Sequence, residues 1–157
     1  MVEVIPGILD KTFDEIEKKL ALVEGKVEWV EIDILDNTLY PNVTYNSHWN
    51  VFEAWRHRIN LGAHLMVSDP AKYVAELVKN GFKRLIADVA GDSVRDFINI
   101  CRTDQVEVGV ALDGAVALDE VEPYLDEVDT VLVMTINSGV SGTPFLPSSL
   151  PKIKKIH

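Results

Sequence analysis

Six short apolar runs alternate with six stretches of helical periodicity, and this alternation constrains the fold more than any single motif. The apolar runs cover residues 2–9, 29–36, 62–67, 82–89, 107–112 and 129–136. They are short and rich in Val, Ile and Leu, as strands buried in a sheet require. Between them, apolar residues recur at helical spacing over residues 12–24, 48–59, 71–80, 93–102 and 118–128, and a last, basic helix is expected over 150–156. Thr12 or Asp10 can cap the first helix and Gly25 ends it; Pro70 opens the third and Gly81 ends it. Val121, Leu125 and Val128 are expected to face inward from the fifth. Strands separated by helices pair in parallel, with the helices outside the sheet. Two architectures satisfy this: an open doubly wound sheet and a (β/α) barrel. No G-x-G-x-x-G follows the first strand, so the fingerprint of a dinucleotide-binding open sheet is missing.

A chain of 157 residues is long enough for one domain with a full core, and residues 1–157 read as a single domain without linkers. The net charge of −10 repels nucleic acid and anionic membrane surfaces, so neither is an expected partner. No apolar run approaches the roughly 20 residues needed to span a bilayer, and no signal peptide is read. Cys101 is the single cysteine and lies on an apolar helical face, which suggests an inert buried thiol in a reducing, cytoplasmic compartment. Trp49, Phe52, Trp55 and Ile59 share one helical side and are expected to pack or to form an interface. His48, His57 and His157 are expected at the surface, and Lys152, Lys154 and Lys155 are placed to complement a helix C-terminus.

The second strand carries the chemistry. In Trp29-Val30-Glu31-Ile32-Asp33-Ile34-Leu35-Asp36, alternation puts Glu31 and Asp33 on one face and Val30, Ile32 and Ile34 on the other. Two carboxylates so close need a cation, a proton or water to relieve their repulsion. The stretch therefore reads either as a metal or acid/base site or as a solvated acidic edge. In both candidate architectures ligands bind at the carboxyl ends of the strands. Asp33, Asp36, His64, Met66, Asp88 and the loop 137–142 all fall there, and this convergence favours a site.

Four motifs in order carry a family resemblance. Val4-Ile5-Pro6-Gly7-Ile8-Leu9 stands where an I-A-P-S-I-L strand would be. Residues 31–42 follow the pattern H-x-D-x-M-D-G-x-F-V-P-N, with Glu31, Asp33, Leu35, Asp36, Asn37, Leu39, Tyr40, Pro41 and Asn42 at its named positions. His64-Leu65-Met66-Val67 is intact, with Pro70 after it. Residues 131–147 follow V-L-x-M-[ST]-V-N-P-G-x-x-G-Q-x-F-x-P, with Met134, Asn137, Gly139, Gly142, Phe145 and Pro147 in place. The chain resembles the ribulose-phosphate 3-epimerases, (β/α)8-barrel isomerases of the pentose phosphate pathway.

The resemblance implies a TIM-barrel-like α/β fold with six of the eight strand–helix units, because eight units need about 200 residues or more. It implies a metal-assisted epimerisation of a ketopentose phosphate, by proton transfer through an enediolate. Asp33 matches an acid/base aspartate that also binds the metal, and His64 matches a ligand histidine. The resemblance implies a divalent metal, Mn, Mg, Zn or Fe; Glu31 replaces the other histidine, and an oxygen ligand there favours Mg or Mn over Zn. Gly7 replaces a serine, Asp88 the histidine usual after strand four, and Leu35 a site methionine. Gly7, Met66, Met134 and the turn Gly139, Val140, Ser141, Gly142 match substrate-binding positions, the turn on the phosphate side. The resemblance also implies that the second catalytic aspartate, from a seventh strand, lies outside these residues. Unpaired first and sixth strands would favour a homo-oligomer. Two functions follow as expectations: an isomerase acting on a small phosphosugar, and a non-catalytic partial barrel that oligomerises through its strand edges.

Overall fold

A computed structural model describes residues 2–114 and 116–156; His157 lies outside them. Its strands all pair in parallel, in the order β1-β2-β3-β4-β5-β6. The first is short. A strand was expected over residues 2–9, but β1 spans only Gly7–Ile8, and Val2 and Val4 stand exposed. Pro6 offers no N–H, and β1 has a partner on one side only, where the Pro6 carbonyl accepts the Glu31 N–H at 2.9 Å.

Helix α1 (Phe13–Val23) is capped by Thr12, whose hydroxyl accepts the Glu15 N–H, and buries Ile16 and Leu20. Strand β2 (Trp29–Ile34) follows. The α-helix expected over residues 48–59 is instead a 3-10 segment, Trp49–Ala54. With three residues per turn, positions 49, 52 and 55 line up on one edge. That edge sinks Trp49, Phe52 and Trp55 into the core, with Phe13 and Phe82 packed against Phe52 at 5.2 and 5.1 Å between ring centres. Packing, rather than an interface, accounts for these aromatics.

Strand β3 (Asn60–Leu65) starts two residues before its expected position. A 3-10 turn, Pro70–Tyr73, leads into helix α2 (Val74–Lys79), and β4 spans Phe82–Asp88. Helix α3 (Val94–Thr103) buries Val94, Phe97, Ile98 and Cys101, whose thiol burial pushes up to about 12. Strand β5 (Glu107–Leu112) lies where expected. The acidic helix expected over 118–128 is broken into 3-10 segments, Leu118–Glu120 and Glu122–Glu127. Pro123 removes a helical donor, and the tighter winding turns Leu125 outward. Strand β6 (Thr130–Val133) is shorter than its apolar run, and α4 spans Ser149–Ile156. Lys152 does not serve the end of α4. Its ammonium donates to the carbonyls of Asp113, Gly114 and Val116 at 3.2, 2.7 and 2.6 Å, pinning the loop after β5.

The sheet's two faces differ in chemistry. Ile8, Ile32, Ala63, Leu85 and Val108 sit in register across five strands, all buried beneath the helices. Each large side chain so buried contributes about 1.5–3 kcal/mol. The opposite face is concave: residues of β1 and β6, first and last in the sheet, line one cavity. Six strand–helix units thus form a half-barrel whose interior carries the polar residues.

Candidate functional site

Two rows of inward-facing residues cross the concave face. The lower runs Gly7, Glu31, Gly62, Arg84, Glu107 in register, and the upper runs Asp33, His64, Ile86, Gly109, Thr130. Strand alternation places Glu31 and Asp33 on this face, while Val30, Ile32 and Ile34 are buried on the helix side. Gly7, Glu31 and Arg84 of the lower row and Asp33, His64, Ile86 and Thr130 of the upper, together with Ile5, Val131, Leu132 and Met134, line a cavity of about 300 Å³. A cavity of this size suits a small molecule.

The lower row is already paired at one end. Arg84 Nε donates to Glu107 Oε1 at 2.7 Å, and Thr130 Oγ1 donates to the same oxygen at 3.0 Å. The guanidinium also lies 4.2 Å from the centre of the Trp29 ring. Glu31 is left without a direct partner: its Oε1 is buried and makes no hydrogen bond. Burial therefore pushes the Glu31 carboxyl up to about 7, with His64 and Arg84 offsetting only part of the cost. Gly62 makes its position possible, because a β-carbon there would clash with the Glu31 carboxyl.

In the upper row, Asp33 and His64 are neighbours on adjacent strands, with His64 Nδ1 3.4 Å from Asp33 Oδ1. Burial alone would lower the imidazole's pKa. The adjoining Asp33 carboxylate, helped by Asp88 and Glu31, outweighs burial and holds it above its ordinary value. His64 Nε2 is buried without a hydrogen-bond partner. The loop after β2 fixes the strand end beneath Asp33: the Thr44 hydroxyl donates to the Asp33 carbonyl at 2.7 Å and accepts the Leu35 N–H at 2.9 Å. Gly7 lies beside Asp33, where a β-carbon would make only ordinary contact with Asp33 Oδ2, at 3.7 Å.

The cavity brings together Gly7, Glu31, Asp33, His64 and Met134. Met66, directly after β3, is buried but does not line it, and neither does the turn 139–142. Asp36 is spent on structure. It accepts from the Thr38 N–H and hydroxyl, from Tyr73 Oη at 2.8 Å and from Lys72 at 3.1 Å. Burial alone would raise its pKa, but these donors outweigh it and hold the carboxyl below its usual range. Sequence reasoning missed Arg84, Ile86 and Thr130 in the lining; alternation along their own strands was the available signal, but the register across the sheet was not.

Among the described residues, no three His, Cys, Asp or Glu side chains converge into a ready-made cation site. The donor chemistry nevertheless fits a divalent ion: two carboxylates and an imidazole share one cavity wall, and two buried donor atoms, Glu31 Oε1 and His64 Nε2, lack partners. A set with two carboxylates and one imidazole suits an oxygen-seeking ion that keeps some of its waters.

Residues 3–157 match the family model described as the ribulose-phosphate 3 epimerase family. The chain belongs to that family. It is 31% identical over 160 residues to the ribulose-phosphate 3-epimerase of Bacillus subtilis, covering 99% of this chain and 73% of the relative. With the Synechocystis ribulose-phosphate 3-epimerase the identity is 29% over 161 residues, covering 99% and 69%. With that of Treponema pallidum it is 31% over 158 residues, covering 96% and 70%. Among solved structures, the fold is similar to a Vibrio cholerae 3-keto-L-gulonate-6-phosphate decarboxylase. The TM-score is 0.68 at 12% identity, over 98% of this chain and 72% of that one. This epimerase-family chain thus keeps the barrel architecture across all six of its units. Among the described residues no helix is long and apolar enough to cross a membrane.

Proposed function

We propose that the chain is an epimerase of a ketopentose phosphate, with Asp33 as a proton carrier. The observation that carries this reading is the adjacency of Asp33 and His64, 3.4 Å apart on the cavity wall at the carboxyl ends of β2 and β3. Epimerisation next to a ketone removes a proton from carbon and returns one to the opposite face. Asp33 is partly exposed to the cavity, so it can reach a substrate carbon and accept its proton. Glu31, Asp33 and His64 would hold a divalent cation of the Mn, Mg, Zn or Fe set, with Mg or Mn preferred to Zn. When bound, such an ion supplies positive charge to the developing enediolate oxygens. His64 must give up its proton to serve as a ligand, so cation uptake competes with protons. Gly7 and Met134 shape the cavity for the sugar. The amides of Gly139, Val140, Ser141 and Gly142 suit the phosphate, because the positive φ of Gly139 and Gly142 turns the backbone sharply there. The free, buried Cys101 supports a reducing compartment such as the cytoplasm.

The test is an epimerase assay on ribulose 5-phosphate, run with native mass spectrometry in the presence and absence of Mn or Zn. Metal-loaded protein with turnover supports the reading; metal-free protein without turnover overturns it. A second reading, a non-catalytic protein that assembles through its strand edges, is favoured by the exposed Phe145, Leu150 and Ile153 beside β6. Oligomers without turnover in the same experiment would establish it.

A further inference from the structure

The loop after β2 reaches across the half-barrel to two other strand ends. Tyr40 Oη donates to Asp88 Oδ2 at 2.7 Å, at the last residue of β4. Asn42 Nδ2 donates to the Gly139 carbonyl, also at 2.7 Å, in the turn after β6. Gly139 is buried with φ +89°, and a β-carbon there would lie 2.9 Å from the Tyr40 β-carbon, so the turn is packed directly on Tyr40. Asp88 is fully buried. Its Oδ1 accepts the Ala90 N–H at 3.0 Å, so the Tyr40 hydroxyl is the partner that satisfies Oδ2. One side chain thereby ties the ends of β2, β4 and β6 together.

We propose that Tyr40 is a positioning residue: its bond to Asp88 and its packing under Gly139 hold the turn 139–142 in the arrangement that presents its amides to a phosphate. The inference rests on the reading of that turn as the phosphate holder. An amide cluster binds an anion well only if its geometry is set beforehand, since otherwise binding must also order the turn. Burial, reinforced by Asp88, keeps the Tyr40 hydroxyl protonated, so the tie persists wherever the protein is folded.

The experiment compares the full chain with Tyr40→Phe and Asp88→Asn. It measures hydrogen exchange at residues 138–142, binding of inorganic phosphate by calorimetry, and KM and kcat for ribulose 5-phosphate. Losing a hydrogen bond to a charged group corresponds to about a tenfold effect. Tyr40→Phe is therefore expected to speed exchange at 138–142, weaken phosphate binding and raise KM by about that factor, while kcat changes less than about threefold. Asp88→Asn can keep its oxygen on the Ala90 N–H and donate its amide to the Tyr40 hydroxyl, which accepts as well as donates, so the tie survives and phosphate affinity is expected to be retained. Asn42→Ala, which removes the second tie nearer the surface, must loosen the turn in the same direction and serves where Tyr40→Phe does not fold. Unchanged exchange and unchanged phosphate affinity in Tyr40→Phe would overturn the inference. A parent chain that binds no phosphate would instead overturn the reading of the turn.

Discussion

The Glu31 carboxyl lies across Gly62, in the space that a side chain on the neighbouring strand would fill. The two residues pair in register, with Gly7 paired to Glu31 on the other side, and the carboxyl leans over Gly62 rather than Gly7. The atom that an added β-carbon meets is the far end of a flexible side chain, so Gly62→Ala should move the carboxyl and leave the strand in place. Stability should then change by less than about 1 kcal/mol, with the entropy lost from the unfolded chain offsetting the local crowding. Cation affinity should fall by about tenfold or more, because a ligand has been swung out of line. Thermal unfolding and titration calorimetry with Mn on the same variant separate the two effects.

Glu31 also makes stability depend on pH. Its carboxyl is held at about 7 in the folded chain against an ordinary 4.5. Between those values the folded state keeps a proton that the unfolded state releases. The favourable contribution is therefore complete below pH 4.5 and is lost as pH rises through 7, at a cost approaching about 3 kcal/mol. Glu31→Gln removes the buried charge. In metal-free buffer its melting temperature should exceed that of the parent chain at pH 8, and the difference should vanish near pH 4. A constant difference between the two across that range would show that the folded carboxyl titrates where the unfolded one does and carries no shift from burial.

The alternation of strand and helix was legible because each side of β2 obeys a single rule: Val30, Ile32 and Ile34 turn toward the helices, and Glu31 and Asp33 toward the cavity. Element ends were less legible. Val2 and Val4 have strand-like side chains but no partner strand to order them, and Leu125 follows helical spacing in a segment that Pro123 forces into tighter winding. The candidate site was read as far as residue identity carries. Asp33 and His64 were each named, through the family resemblance, but their adjacency comes from the strand register, and Arg84 joins Glu31's row only through a register that spans three strands. Tyr40 and Asp88 each read as a departure from the family pattern, a tyrosine for a valine and an aspartate for a histidine. Their hydrogen bond, between residues 48 apart in the chain, makes the two departures complementary, and nothing local to either position announces it.

Lys152 predicts a different kind of loss. Its ammonium donates to three carbonyls of the loop after β5, a loop that leaves the strand without a helix to tie it down until residue 118. Lys152→Met keeps the aliphatic stem and removes all three bonds. It should destabilise the chain by about 1–3 kcal/mol, the range for partly buried carbonyls left without a donor. Denaturant unfolding measures that cost, and faster amide exchange confined to the loop and α4 would locate it.

Asp33→Asn tests the chemistry itself. The amide is nearly isosteric with the carboxylate and can still face His64 across the strand pair, so the fold should survive. What it cannot do is accept a proton from carbon. If Asp33 is the proton carrier, turnover of ribulose 5-phosphate should fall by about 10²–10⁴-fold, the usual contribution of a positioned acid or base. His64 would meanwhile lose its main charged neighbour, and its pKa should drop, because burial would then act with less opposition. The second effect is visible by NMR titration of the imidazole, without any activity. A lowered histidine pKa with unchanged turnover would separate the two roles: Asp33 would then be the partner of His64, and the proton would be carried elsewhere.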